Sequence, residues 1–249
     1  MPLLMARPGD RVSERHLRVA KVCKSYGRQR ALVDVSLTFA PGRVAAIVGP
    51  NGAGKTTLLG ILSTLVRPTS GEILLADEPI TRNPAARQTI GYVGHDPGVY
   101  PDLSARQNLR IFAALYGLAD AEAHITAMLE RVDLADVRHD LPARSYSRGM
   151  LQRLALARAL LHEPEILLFD EPSSALDPVG VRWLSEELLR ERDAGRLVIL
   201  VTHDLDAAAQ VAGHLVVIRR GRVAIDRSEP SGFSAGQVRE LYAEALRDR

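Results

Sequence analysis

A chain of 249 residues with 46% hydrophobic and 25% charged residues is long enough for a well-buried core and too apolar for extended disorder. A formal net charge of +2 demands neither nucleic acid nor an anionic membrane surface as partner. A single cysteine, Cys23, excludes an intrachain disulfide and fits a reducing, cytoplasmic compartment.

Arginine supplies nearly all the basic charge, since Lys21, Lys24 and Lys55 are the only lysines. Met1–Asp10 carries no apolar region of signal-peptide length, and no apolar run approaches the ~18 residues of a membrane span. A membrane role is therefore expected to lie with a partner subunit.

In chain order, residues 1–15 are polar, carry Pro2, Pro8 and Gly9, and read as a flexible leader to one domain over 16–249. Strands are expected at Leu17–Val22 and Ala31–Phe39, separated by the turn signal Tyr26-Gly27. Pro41-Gly42 breaks the chain before the apolar run Val44–Val48. A Gly-rich loop then opens a helix near Lys55, with Leu58, Leu59, Leu62 and Leu65 expected on one stripe. Gly71–Leu75 and Ile90–Val93 read as further strands.

From about 98 to 162 the pattern turns helical. Ser104 and Gln107 form a capping-box pattern ahead of a helix with Leu109, Phe112, Leu115 and Tyr116 expected inward. A second amphipathic run places Ile125, Met128, Leu129 and Val132 on one face. Strands and helices then alternate again. Ile166–Phe169 and Leu197–Val201 read as buried strands, Val179–Arg192 and Leu205–Val211 as helices. Strands follow at Leu215–Ile218 and Arg222–Ile225. A second capping box, Ser234 to Gln237, opens a C-terminal helix over about 234–247. Continuous apolar strands between helices argue for a parallel sheet covered on both faces. No internal repeat is present, so the chain holds one such unit and not a tandem pair.

Gly49, Pro50, Asn51, Gly52, Ala53, Gly54, Lys55 and Thr56 match G-x-x-x-x-G-K-[ST], with a strand running in and a helix running out. Glycines allow backbone N–H groups to converge on one concavity, and the helix N-terminus adds partial positive charge. ATP is the expected ligand, with Thr57 at its edge. Lys55 is expected to bridge the β- and γ-phosphates, and Thr56 to hold Mg²⁺ through its hydroxyl.

The run Ile166-Leu-Leu-Phe-Asp170-Glu171 sets two carboxylates at the C-terminal end of a buried strand, where α/β proteins bind ligands. Asp170 is expected to hold Mg²⁺, directly or through water, and Glu171 to polarise the attacking water.

Three further stretches fix a family resemblance. Tyr146-Ser-Arg-Gly-Met-Leu-Gln-Arg153 resembles the signature L-S-G-G-Q-x-Q-R of ATP-binding-cassette (ABC) transporter subunits. Ser174-Ala-Leu-Asp177 resembles their D-loop, and Thr202-His203-Asp204 their switch-histidine segment. Tyr26 lies where such proteins stack an aromatic on adenine. The resemblance covers about residues 15–225. It implies an α/β fold: a P-loop NTPase-type, mostly parallel sheet core with an N-terminal antiparallel β subdomain and a helical signature subdomain.

It also implies an ATPase working as a head-to-tail dimer of like subunits with ATP sandwiched between them. Lys55, Asp170, Glu171 and His203 would act from one face, with Ser147 and Gly149 of the second subunit on the γ-phosphate and Asp177 aligning the two sites. The expected setting is cytoplasmic, on the inner face of the membrane through an integral-membrane subunit, with no nucleic-acid partner. His16, His124, His139, His162 and His214 lack metal-ligand spacing and read as structural.

Two departures are informative. His95, in Gly91-Tyr-Val-Gly-His95-Asp-Pro-Gly98, stands where the family has a glutamine that reaches Mg²⁺ and faces the membrane partner. Imidazole suits Mg²⁺ less well than oxygen, so the coupling role of the loop is the firmer expectation. In the signature, Arg148 replaces glycine and Met150 replaces glutamine. The Gly-His-x-Pro-Gly and Ser-Arg-Gly-Met stretches resemble the ATPase of the cytochrome c biogenesis haem exporter. An exporter motor is the first reading, and a soluble ABC-type ATPase for iron–sulfur assembly the alternative. DNA-repair members would need a long coiled coil for which 98–162 leaves no room. A binding-protein-dependent importer is disfavoured by the absence of a long regulatory domain after about 226.

Overall fold

The computed structural model describes residues 16–80, 84–135, 141–174 and 176–247. The expectations for the leader 1–15, for His139, for Ala175 and for residues 248–249 fall outside them.

Strands β1 (Leu17–Tyr26) and β2 (Gln29–Phe39) form a hairpin closed by Gly27 and Arg28, with Tyr26 opposite Gln29. Both run longer than their apolar cores predict, because the polar ends still pair across the tight turn. The strand β3 (Arg43–Val48) belongs to a second sheet, and β4 (Ser70–Leu75) and β5 (Glu78–Pro79) return to the first. The order of the antiparallel sheet is β2-β1-β4-β5.

The larger sheet adds β6 (Ile90–Val93), β7 (Ile166–Asp170), β8 (Leu197–Val201), β9 (His214–Arg219) and β10 (Arg222–Ser228) in the order β10-β9-β3-β8-β7-β6. All its pairs are parallel except β10 with β9. Val44 to Val48 are buried on both faces, as expected of a strand covered on each side. Alternate residues feed different cores: Ala45 and Ile47 meet the antiparallel sheet and helix α1 (Lys55–Leu62), while Ala46 and Val48 pack under the last helices.

Leu58, Leu59 and Leu62 of α1 are buried as expected; each full burial contributes roughly 1.5–3 kcal/mol. Leu65 is not on that stripe. The helix ends at Leu62, Thr64 takes φ +64°, and Leu65 is 69% exposed.

A short helix α2 (Pro84–Gln88) precedes β6, and the described chain between β6 and β7 is helical: α3 (Ala105–Tyr116), α4 (Ala121–Arg131), a 3₁₀ turn (Ala143–Ser145) and α5 (Arg148–Leu160). Leu109, Ile125, Leu129, Val132 and Leu154 form its core. The Ser104–Gln107 capping box is present in both directions. Fully buried Asn108 anchors the turn before α3: its amide nitrogen donates to the carbonyls of Tyr100, Leu103 and Ser104, and its oxygen accepts from the Tyr100 N–H. Leu115, expected inward, is 71% exposed.

Helices α6 (Pro178–Asp193), α7 (Leu205–Val211) and α8 (Ala235–Arg247) complete the chain. The predicted capping box of α8 is formed by Ser234 and Gln237. Buried Glu187 and Glu191 on α6 are paired with Arg131 at the end of α4, and also with Arg190 and Arg196. A buried carboxylate is tolerated only with such partners, so this cluster ties the helical segment to the main sheet.

Candidate functional site

The register of the large sheet brings the candidate residues together. Ile47 pairs with Val201 and Val201 with Asp170, so β3, β8 and β7 end level. The segments that follow them, starting at Gly49, Thr202 and Glu171, share one edge.

At that edge the loop before α1 is folded on itself. Gly49 has φ +155° and Gly54 φ +108°; a Cβ added to Gly49 would lie 2.2 Å from the Ile218 carbonyl oxygen, and one on Gly54 2.5 Å from that of Ala31. No other residue fits either place. Lys55 Nζ donates to the carbonyls of Gly49 at 2.8 Å and Pro50 at 3.2 Å. Burial lowers the Lys55 pKa, with Glu171 and Asp170 opposing the shift. The ammonium is thus held, desolvated, at the head of the loop by two carbonyls, in place to take an anion as a stronger partner.

Thr56 Oγ1 donates to Asp170 Oδ1 at 3.3 Å. Burial raises the pKa of Asp170; the Thr56 hydrogen bond, Lys55 and His95 work the other way, and Glu171 adds to the rise. A hydroxyl beside a carboxylate, both oxygen donors, is a set suited to a hard divalent cation. His95 is exposed, and the structure gives it no hydrogen bond to either oxygen donor.

Glu171 takes a left-handed backbone, φ +53°, which costs a non-glycine residue about 1–3 kcal/mol. The conformation turns its carboxylate back over the edge. Oε2 accepts from His203 Nδ1 at 2.8 Å and from the His203 backbone N–H at 3.3 Å. His203 is held by the turn that follows β8, in which Thr202 Oγ1 accepts from the Asp204 N–H and Asp204 caps α7.

A cavity of about 450 Å³ opens over this edge, lined by Asn51 to Thr57, Glu171, Ala31, Gln29 and Tyr26. Tyr26 is 51% exposed, and Lys24 Nζ sits 4.8 Å from its ring centre while donating to the Arg67 carbonyl. One face of the ring therefore carries a cation, and the ring can offer its other face to a planar ligand. Lys24 and Gln29 were missed in the sequence. Gln29 was available from the hairpin pairing with Tyr26, whereas nothing local signals Lys24.

Ser147 and Gly149 do not line this cavity. Ser147 is exposed and caps α5, accepting from the Met150 N–H at 3.2 Å. Asp177 caps α6 by accepting from the Gly180 N–H at 2.7 Å. The structure thus unites Tyr26, Gly49–Thr57, Asp170, Glu171 and His203. Among the described residues, no carboxylate of the same chain is hydrogen-bonded at the helix N-terminus at Ser147, where N–H groups and the dipole favour an anion.

The ABC transporter family matches residues 32–174. A Nod factor export ATP-binding protein of Cupriavidus metallidurans is 39% identical over 209 residues, 83% of this chain and 69% of that protein. A daunorubicin resistance ATP-binding protein of Streptomyces coeruleorubidus is 39% identical over 229 residues, covering 91% of this chain and 69% of that one. A bacterial ABC transporter cassette solved as a dimer aligns with a TM-score of 0.79 at 26% identity, covering 87% of this chain and 100% of the other.

Proposed function

The chain belongs to the ABC transporter family as an ATP-binding subunit, an ATPase coupled to transport, and from that premise we propose that it drives export through a separate integral-membrane subunit. The observation that carries the reading is the meeting of the Lys55 loop, the Thr56–Asp170 pair and the Glu171–His203 pair at one sheet edge. Among the described residues no helix is long and apolar enough to cross a membrane, which agrees with a membrane path supplied by another subunit. The first relatives above are named for export and drug resistance, and that favours the outward direction.

In this reading the loop N–H groups and Lys55 bind the β- and γ-phosphates, and Tyr26 stacks on adenine. Mg²⁺, when bound, would neutralise phosphate charge, and Thr56 and Asp170 are the residues that would hold it. Glu171 orients the attacking water and accepts its proton, while His203 fixes the carboxylate. The N-terminus of α5 at Ser147, with Gly149, serves the γ-phosphate of a second copy, and Asp177 lies near the join. The dimeric relative supports that assembly. Catalysis is then positioning and charge stabilisation completed by closure of the dimer.

For the cargo, the His95 loop and the Ser147–Met150 signature favour haem as a second, finer reading. The test uses inside-out vesicles carrying the chain and its membrane subunit. ATP-driven accumulation of haem or of daunorubicin, lost in Lys55→Ala, is the expected result. Vesicles that turn over ATP yet release a preloaded cargo in an ATP-dependent way would overturn export.

A further inference from the structure

The loop carrying His95 runs alongside one side chain that the mechanism above does not use, bonded to the strand before the loop and in contact with its far end. Arg158 lies near the end of α5. Its Nη2 donates to the Tyr92 carbonyl at 2.8 Å, where the loop leaves β6. At the other end the guanidinium lies in van der Waals reach of Gly98, where an added Cβ would meet its carbon at 3.6 Å, an ordinary contact. Between them, Asp96 Oδ1 accepts from the Gly98 N–H at 2.8 Å, and its charge acts on Arg158. The guanidinium carbon also stands 5.3 Å from the Phe112 ring centre on α3. Among the described residues, Arg158 Nε is buried without a hydrogen-bond partner. A buried guanidinium with an unused donor is costly, and burial accordingly depresses its pKa.

The helix that ends in this contact begins at Ser147. From Arg148 to Arg158 it is continuous, a span of roughly 15 Å at about 1.5 Å per residue. A rigid helix with the signature serine at one end and the loop clamp at the other moves both as one body.

We infer that Arg158 is the positioning residue that locks the Gly94–Gly98 loop, and His95 with it, to the helix presenting Ser147. A displacement of the loop is then carried to Ser147 through the guanidinium instead of being absorbed by a flexible turn. This inference rests on the reading of the site as a nucleotide site completed by the Ser147 end of a second copy.

The test compares the full chain with Arg158→Met and Arg158→Lys, by ATP turnover and by amide hydrogen exchange with and without Mg²⁺·ATP. In Arg158→Met, kcat should fall about tenfold with KM held within about twofold, because the phosphate loop is untouched. The amides of Gly94, His95, Asp96 and Gly98 should exchange about fivefold faster, while ATP still protects the amides within residues 50–56. Arg158→Lys keeps a donor for the Tyr92 carbonyl and should recover kcat to within about threefold of the parent.

Parent-like turnover and parent-like loop exchange in Arg158→Met overturn the inference. Should that variant not fold, Phe112→Leu removes only the ring beside the guanidinium, and its loop should exchange about twofold faster or more; unchanged exchange overturns the inference equally. Lack of ATP protection at 50–56 in the parent overturns the nucleotide reading and this inference together. Protection there with an indifferent loop overturns this inference alone.

Discussion

Glu171 Oε2 accepts two hydrogen bonds from one residue, His203, through the ring Nδ1 at 2.8 Å and the backbone N–H at 3.3 Å. The carboxylate is thereby aimed from a left-handed backbone that would otherwise let it swing. In the proposed mechanism the acid is the residue that faces the substrate, and the histidine is what holds it.

Glu171→Gln keeps the shape and an acceptor oxygen but loses the charge that takes a proton. Turnover should fall about 10²–10⁴-fold while ATP still binds, and the trapped nucleotide should yield an ATP-dependent dimer by light scattering. His203→Ala should lose about tenfold or more in kcat. Wild-type turnover in His203→Ala would make the contact incidental.

Tyr26 lines the cavity with Lys24 beside one ring face, and in the proposed reading the other face takes the adenine. Tyr26→Ala should raise KM for ATP about three- to tenfold, the worth of one aromatic stack of about 0.5–1.5 kcal/mol, with kcat little changed. Tyr26→Trp should restore binding. Equal KM values across the parent and both variants would remove Tyr26 from the site.

Local rules made much of this legible before any coordinates. The Gly49–Thr56 spacing encodes a loop whose shape only glycine permits, and the apolar run into Asp170 places a carboxylate at a strand end. Leu115 shows where periodicity misleads. At about 100° per residue it stands about 120° from Leu109 on the helix, and tertiary packing chose the Leu109–Ala113 face. Leu65 failed because Ser63 and Thr64 end the helix, a stop that no glycine or proline announces. Arg158 with Tyr92, and Arg131 with Glu187 and Glu191, lie 56 to 66 residues apart in sequence. Pairings at that range have no local signature.

Asp170 connects the site to stability. Burial raises its pKa, and Lys55 opposes the shift without reversing it. The folded chain therefore holds this proton more tightly than the unfolded one. The stabilising contribution is full below the ordinary aspartate value of about 4 and is lost as pH rises through the folded value. At pH 7 the ionised group weakens the nucleotide-free fold. Asp170→Asn keeps an acceptor for Thr56 and removes the charge, so its Tm should exceed the parent's by about 2–4 °C, roughly 1 kcal/mol. The gap should close towards pH 4, and ATPase activity should be lost. A variant melting below the parent at pH 7 would contradict the assignment.

His95 separates chemistry from coupling. It is exposed, and Arg158 bonds the neighbouring Tyr92 carbonyl of β6 and not the imidazole itself. Lys55, Thr56, Asp170, Glu171 and His203 already meet without it. His95→Gln should accordingly leave basal hydrolysis by the isolated chain within roughly tenfold, a barrier change of about 1.4 kcal/mol. A glutamine side chain is longer, uncharged, and offers a carbonyl oxygen where the imidazole offers a ring nitrogen, so a surface that reads this loop will respond to the exchange. The ratio of ATPase activity with the membrane subunit to that without it should therefore change more than the basal rate does. Four measurements decide it: parent and variant, each alone and each with the co-expressed membrane subunit. Loss of basal turnover with an unchanged ratio would place His95 in the chemistry and remove it from coupling.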